Sequence, residues 1–151
     1  MAGYSGTPLP AKLGIKKDHR IALIHAPAGF AKILGDLPEG VKIRQASRDQ
    51  KRADNADLAD LMDVMVFFTN NRAELVKEFR GLTERLSPAG GLWIAWPKKA
   101  SGVPTDLTED RIREVGLEAG LVDNKVCAVD NTWSGLRFVH RLKDRPKLEL
   151  I

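Results

Sequence analysis

The chain has 151 residues, 43% of them hydrophobic and 29% charged, and a formal net charge of +4 from 24 Lys and Arg against 20 Asp and Glu. That length and balance describe one globular domain large enough to bury a core. With Cys127 as the single cysteine, an internal disulfide and a thiolate zinc site are excluded. The longest apolar run, Val64 to Phe68, is far short of the ~20 residues a membrane helix needs, so no membrane partner is expected.

The first residues, Met1-Ala2-Gly3-Tyr4-Ser5-Gly6, carry no apolar signal core, and the expectation is a soluble cytoplasmic protein. Residues 1–19 read as an extension with one short helical turn at Leu9–Leu13, ended by Gly14. Residues 20–142 read as a single α/β domain and 143–151 as a charged tail. Ile21-Ala22-Leu23-Ile24 is apolar without alternation, as in a strand buried on both faces. Pro27 and Gly29 break it, and Phe30 to Leu34 forms a short helix closed by Gly35. Val41-Lys42-Ile43-Arg44 alternates and reads as an edge strand. Arg48 to Asn55 is a charged loop, and Ala56 to Leu61 a helical turn. A basic stretch over Lys42, Arg44, Arg48, Lys51 and Arg52 is diluted by acids and has no interleaved aromatics. It reads as a solvated face and falls short of a nucleic-acid footprint.

Met62 to Phe68 is a strong central strand. Asn70 or Asn71 can cap the following helix, on which Leu75, Phe79, Leu82 and Leu86 recur at helical spacing. Ser87-Pro88-Ala89-Gly90-Gly91 ends it, and Leu92 to Trp96 is the next strand. After a loop from Ala100 to Asp106, Thr108 caps a helix running to Gly116 or Ala119, with Glu109 and Asp110 where its dipole favours them. Leu121–Val129 and Arg137–Leu142 are the final strands, joined through residues 130–135.

Strands alternating with helical segments predict a mainly parallel sheet with helices on both faces. The last two strands are joined too closely for a parallel crossover and predict an antiparallel hairpin. This pattern resembles the Rossmann-like sheet of S-adenosylmethionine-dependent methyltransferases, best from Met62 onward. It is a reduced version, because the span from Arg20 to Met62 is short by one strand and one helix. The resemblance implies a glycine-rich turn after the first strand and an acidic residue after the second. The chain has His25-Ala26-Pro27-Ala28-Gly29-Phe30 and Ile43-Arg44-Gln45-Ala46-Ser47-Arg48 there, with Asp49 a late and weak substitute for the acid. No cofactor is therefore expected.

A second resemblance spans nearly the whole chain. Gly6-Thr7-Pro8-Leu9, Lys12-Leu13-Gly14-Ile15, Leu92-Trp93-Ile94-Ala95-Trp96-Pro97-Lys98-Lys99, Thr105-Asp106-Leu107-Thr108, Gly120 to Cys127 and Thr132-Trp133-Ser134-Gly135-Leu136-Arg137-Phe138 are similar to a family of small bacterial proteins of unknown function. That resemblance implies no activity and no catalytic residues.

The candidate ligand site is built on Trp96, Lys98 and Lys99, because ligands of open α/β sheets bind beyond the carboxyl ends of the strands. The methyltransferase-like arrangement places the last strand beside the one carrying Trp96. Trp133, Ser134 and Arg137 then join the same edge, with Thr105 and Asp106 just before a helix start. The lysines act as point charges and Arg137 as a two-pronged donor for a carboxylate or phosphate. The competing reading is structural: a solvated lysine loop, tryptophans in the core, and Arg137 stacked on an indole. His25, at the end of the first strand, faces a ligand or is a capped, half-buried histidine. His19, His25 and His140 have no metal-ligand spacing. Cys127 reads as a small core hydrophobe, Ser134 as a turn hydroxyl, and neither Asp63 nor Asp123 has a partner carboxylate for acid–base work.

The leading reading is a non-catalytic binding or interaction module for a small anionic ligand. Its rivals are a divergent methyltransferase or other nucleotide-using enzyme, and a basic nucleic-acid-associated protein. The sequence leaves the oligomeric state open.

Overall fold

The computed structural model describes residues 7–46 and 61–141. The expected charged loop at 48–55, the helical turn at 56–60 and the tail from Lys143 lie outside those residues; Leu61 itself is not helical. Six strands form one sheet: β1 (Arg20–Ile24), β2 (Lys42–Ala46), β3 (Met62–Phe68), β4 (Leu86–Pro97), β5 (Leu121–Ala128) and β6 (Trp133–His140). Their spatial order is β2-β1-β3-β4-β6-β5. The first four in that order run parallel. β6 lies antiparallel between β4 and β5, so the chain ends in the expected hairpin.

Among the described residues four helices cover the two faces: α1 (Leu9–Leu13), α2 (Phe30–Leu34), α3 (Arg72–Glu84) and α4 (Glu109–Glu118). One face packs Leu75, Phe79 and Leu82 of α3 and Ile112 and Val115 of α4 onto Ile24, Phe67, Ile94, Trp96, Leu136 and Phe138. The other packs Leu13 of α1 and Phe30 and Leu34 of α2 onto Ile21, Leu23, Phe68, Trp93 and Ala95. This is the reduced Rossmann-like α/β architecture read from the sequence. β1 and β3 are covered on both sides, which explains why each is a continuous apolar run.

Caps set the helix starts. Asn71 Oδ1 accepts from the Glu74 amide at 3.0 Å, and Thr108 Oγ1 accepts from the Arg111 amide at 3.2 Å. Each uses a side-chain oxygen on an amide that lacks a partner within the helix. α1 stops at Gly14, whose φ of 83° is left-handed.

Two boundaries differ from expectation, and both involve glycine. Leu86 does not lie on the face of α3; the helix ends at Glu84 and Leu86 begins β4. The segment expected to be a loop, Ser87–Gly91, belongs to that strand. Met62 pairs with Leu86 and Val64 with Gly91, so β4 advances five residues while β3 advances two. A Cβ on Gly90 would lie 2.8 Å from the Asp63 carbonyl oxygen, and one on Gly91 would fall on the Arg137 guanidinium. These glycines permit a close approach inside a strand. Likewise β6 begins at Trp133, four residues before the expected Arg137. A Cβ on Gly135 would sit 3.0 Å from Cε3 of Trp93. Among the described residues no helix is long and apolar enough to cross a membrane.

Candidate functional site

Walking out from β1, the chain goes to β2 on one side, and β3 lies on the other. Connections leave neighbouring parallel strands in opposite directions here, and at such a switch point their carboxyl ends leave a crevice. The structure has an open cleft of about 600 Å³ there. Its walls are His25, Ala26 and Pro27 after β1, Asn70, Asn71 and Glu74 after β3, and Trp133 from the start of β6.

His25 ends β1 in a left-handed conformation, φ 58°, which is uncommon and costly for a residue with a Cβ. Its amide donates to the Ala46 carbonyl at 2.7 Å, which ties the turn to β2. Its ring lies 5.2 Å from that of Phe67. Nδ1 is 3.8 Å from Glu74 Oε2. Glu74 is held twice more: its amide by Asn71, and Oε1 by the hydroxyl of the buried Thr69, which donates at 2.6 Å. The carboxylate also sits in the first turn of α3, where the helix dipole favours it.

Trp133 reaches the same crevice from two strands away. Its ring meets Phe68 of β3 edge-on, with centroids 5.2 Å apart, so the indole passes over β4. Its amide is fixed by Asp130 Oδ1 at 2.8 Å. Pro97 pairs with Trp133 across β4 and β6, and the Lys98 amide donates to the Thr132 carbonyl at 2.8 Å. The backbone of Lys98 therefore runs beside the start of β6, next to Trp133. Lys99 is exposed at the start of a single 3-10 turn. Neither ammonium forms an ion pair among the described residues.

The other expected site residues divide. Thr105 and Asp106 come to this edge, but their polar atoms are used by the fold. Thr105 Oγ1 donates to the Asn70 carbonyl at 2.7 Å, and Asp106 Oδ1 accepts from the first amide of α3, Arg72, at 2.8 Å. Trp96 does not share a pocket with Trp133. Trp96 is 7% exposed and packs on the α3 and α4 side, whereas Trp133 packs on the α1 and α2 side. Ser134 pairs with Trp96 and shares that far side by strand alternation. Arg137 pairs with Trp93, four residues down β6 from Trp133. Its guanidinium lies over Gly91, with Nη1 3.4 Å from Asn124 Oδ1. Arg137 is thus away from the rim, and it leaves the proposed anion-binding set.

The remaining polar candidates are structural. His19 Nδ1 accepts from the Lys16 amide at 3.0 Å, and the buried His140 Nε2 donates to the Leu86 carbonyl at 3.2 Å. Cys127 is half-buried, and burial pushes its thiol pKa up, away from reactivity. Among the described residues no group of three His, Cys, Asp or Glu side chains could hold a metal. At the opposite end of the same parallel strands, Arg20, Lys42 and Arg44 border a smaller cleft of about 370 Å³. Arg48, Lys51 and Arg52 of the expected basic stretch lie outside the described residues.

The sequence reading missed Asn70, Glu74 and the loop after β1 as one site. The only signal for them is strand order, because the residues are far apart in the chain and only the β2-β1-β3 reversal brings them together.

Residues 40–142 match the model of a family described as protein of unknown function (DUF3052). The chain belongs to that family. No curated protein matches it in sequence. In three dimensions the DUF3052 chain is similar to a SAM-dependent methyltransferase from Aquifex aeolicus, with a TM-score of 0.58 and 16% identity over 85% of each chain. It is also similar to a ribosomal protein L11 methylase from Lactobacillus delbrueckii subsp. bulgaricus, with a TM-score of 0.59 and 14% identity, covering 88% of this chain and 75% of that one. Aeropyrum pernix fibrillarin, solved with natively bound S-adenosyl-L-methionine, gives a TM-score of 0.55 and 13% identity over 91% of this chain and 70% of that one. At these identities the likeness is one of fold.

The described wall after β1 does not match the seat expected for that cofactor. A backbone-lined seat after β1 requires glycines and free amides. Here His25 puts an imidazole into the wall, Pro27 has no N–H, and the one glycine, Gly29, is used to start α2. β2 itself, Lys42-Ile43-Arg44-Gln45-Ala46, carries no carboxylate, and the segment after it, with Asp49, lies outside the described residues.

Proposed function

We propose that this chain is a non-catalytic binding module that holds a small anionic molecule at the carboxyl edge of its parallel strands. The observation that supports this reading most is the open switch-point crevice walled by Trp133, next to which the backbone carries Lys98 and Lys99, neither in an ion pair among the described residues. Few groups at the edge are available for chemistry. Asn71, Thr105 and Asp106 are engaged in caps and turns, and the Glu74 carboxylate is tied to Thr69.

Thermal unfolding with inorganic phosphate, simple carboxylates and nucleotides tests the proposal. A ligand at about 100 times its Kd adds about 2.7 kcal/mol of stability, which for a domain of this size raises Tm by several degrees. The shift should vanish in Lys98→Ala/Lys99→Ala. If no anion moves Tm, the binding reading is wrong. A divergent methyltransferase is the second reading, favoured by the shared sheet. Micromolar S-adenosylmethionine binding in calorimetry would replace the first reading with this one.

A further inference from the structure

We infer that the ligand is a nucleoside monophosphate, its base in the crevice between β1 and β3 and its phosphate at Lys98 and Lys99. The inference rests on the binding reading above and narrows it to a ligand class.

Three observations combine. The first is size: about 600 Å³ falls within the range of small-molecule pockets and is far more than an inorganic anion fills. The second is the sign of charge along the edge. Among the described residues Glu74 lines the crevice and no lysine or arginine does, so that wall favours a neutral group over an anionic one. The positive charge lies on the rim, at Lys98 and Lys99, one step along the sheet from Trp133. A ligand using both places is neutral and polar at one end and anionic at the other. The third is the lining. The exposed amide of Asn70 and the imidazole of His25 offer donors and acceptors around one space, with Glu74, held by Thr69, beside the imidazole, which suits a heterocycle with ring nitrogens and exocyclic groups better than a plain aromatic ring. Trp133 stands between the two ends and provides an aromatic surface for the base.

Isothermal calorimetry of the full chain with AMP, UMP, adenosine, uridine and inorganic phosphate tests the two-ended ligand. Each nucleotide should bind about tenfold or more tightly than its nucleoside and than phosphate, because the two contacts act within one molecule. Lys98→Ala/Lys99→Ala should bring the nucleotide down to the affinity of its nucleoside and leave the nucleoside unchanged. Asn70→Ala should weaken nucleoside and nucleotide alike. Asn70 and Lys99 are exposed and Lys98 is half-buried, and circular dichroism checks that the variants fold. The inference is overturned if phosphate alone matches the nucleotides, if nucleotides bind no better than nucleosides, or if the lysine variant binds AMP as the unmodified chain does. Binding of phosphate or carboxylates without a nucleotide preference would leave the binding module standing and remove only this inference. No anion binding would remove both.

Discussion

The edge of the sheet above β1 and β3 and the edge above β4 and β6 are built from the same kind of strand end, yet they differ. Above β1 and β3 the chain turns through a left-handed histidine and leaves a cleft walled by polar side chains. Above β4 and β6 the backbone closes on itself: Pro97 pairs with Trp133 and the Lys98 amide meets the Thr132 carbonyl. The cause is topological. An antiparallel strand inserted beside β4 brings its own hydrogen-bonding edge and fills the gap. Two parallel strands whose connections leave in opposite directions have nothing to fill it. Packing on the hairpin side should therefore control stability, and the side chains of the crevice should control binding.

That division can be tested first where the largest effect is expected. Trp93 is fully buried under the hairpin, and its indole N–H donates to the Leu13 carbonyl at 3.0 Å. Trp93→Ala should cost about 3–5 kcal/mol in urea unfolding, from lost burial and the cavity left behind. Trp93→Phe keeps most of the volume but leaves a buried carbonyl without its donor, at about 1–3 kcal/mol. A cost under about 0.5 kcal/mol for the alanine variant, typical of surface positions, would mean the hairpin side is not the stabilising half.

The next effect is smaller and comes from adding an atom rather than removing a ring. A Cβ on Gly116 of α4 would fall on the ring of Phe138, which cannot turn aside easily because Phe79 meets it edge-on at 5.4 Å. Gly116→Ala should cost about 1–3 kcal/mol by overpacking, although alanine favours a helix interior over glycine. A gain in stability would show that α4 can lift from the sheet, and that this half is less tightly sealed than the crevice half is open.

The two edges were unequally legible in the sequence. Strands buried on both faces announce themselves as unbroken apolar runs, so Ile21–Ile24 and Met62–Phe68 were found with little displacement. The caps at Asn71 and Thr108 follow from side-chain chemistry that acts within three residues. Ser87–Gly91 and Trp133–Gly135 look like loops in the sequence because glycine and proline usually mark turns. Here the glycines make room for Arg137 and for the ring of Trp93, which only the neighbouring strands reveal. The pairing of the last strand with the one leading into Lys98 is what the methyltransferase-like arrangement implies, and β6 lies there. Separating Trp96 from Trp133 needed strand phase: residues on opposite sides of the pleat face opposite faces. The meeting of His25 with Glu74 has no local signal, since it depends on β1 and β3 being neighbours.

The smallest expected effect bears on why a histidine occupies the turn at all. At φ 58° a Cβ costs about 1–2 kcal/mol relative to the right-handed region, and glycine avoids most of that cost. Replacing His25 by alanine and by glycine removes the same ring contact with Phe67 and the same approach to Glu74, so the two variants differ only in the Cβ. The glycine variant should be the more stable of the two by about 1 kcal/mol, after allowing for its greater freedom when unfolded. Both should lose affinity for whatever occupies the crevice. Strain of this kind persists where surrounding contacts impose it, and the bond from the His25 amide to Ala46 is such a contact. If the glycine and alanine variants are equally stable in urea unfolding, the turn is not strained by its side chain. The histidine would then need no functional reason to be there, and the contrast between a sealed edge and a binding edge would lose its best-placed residue.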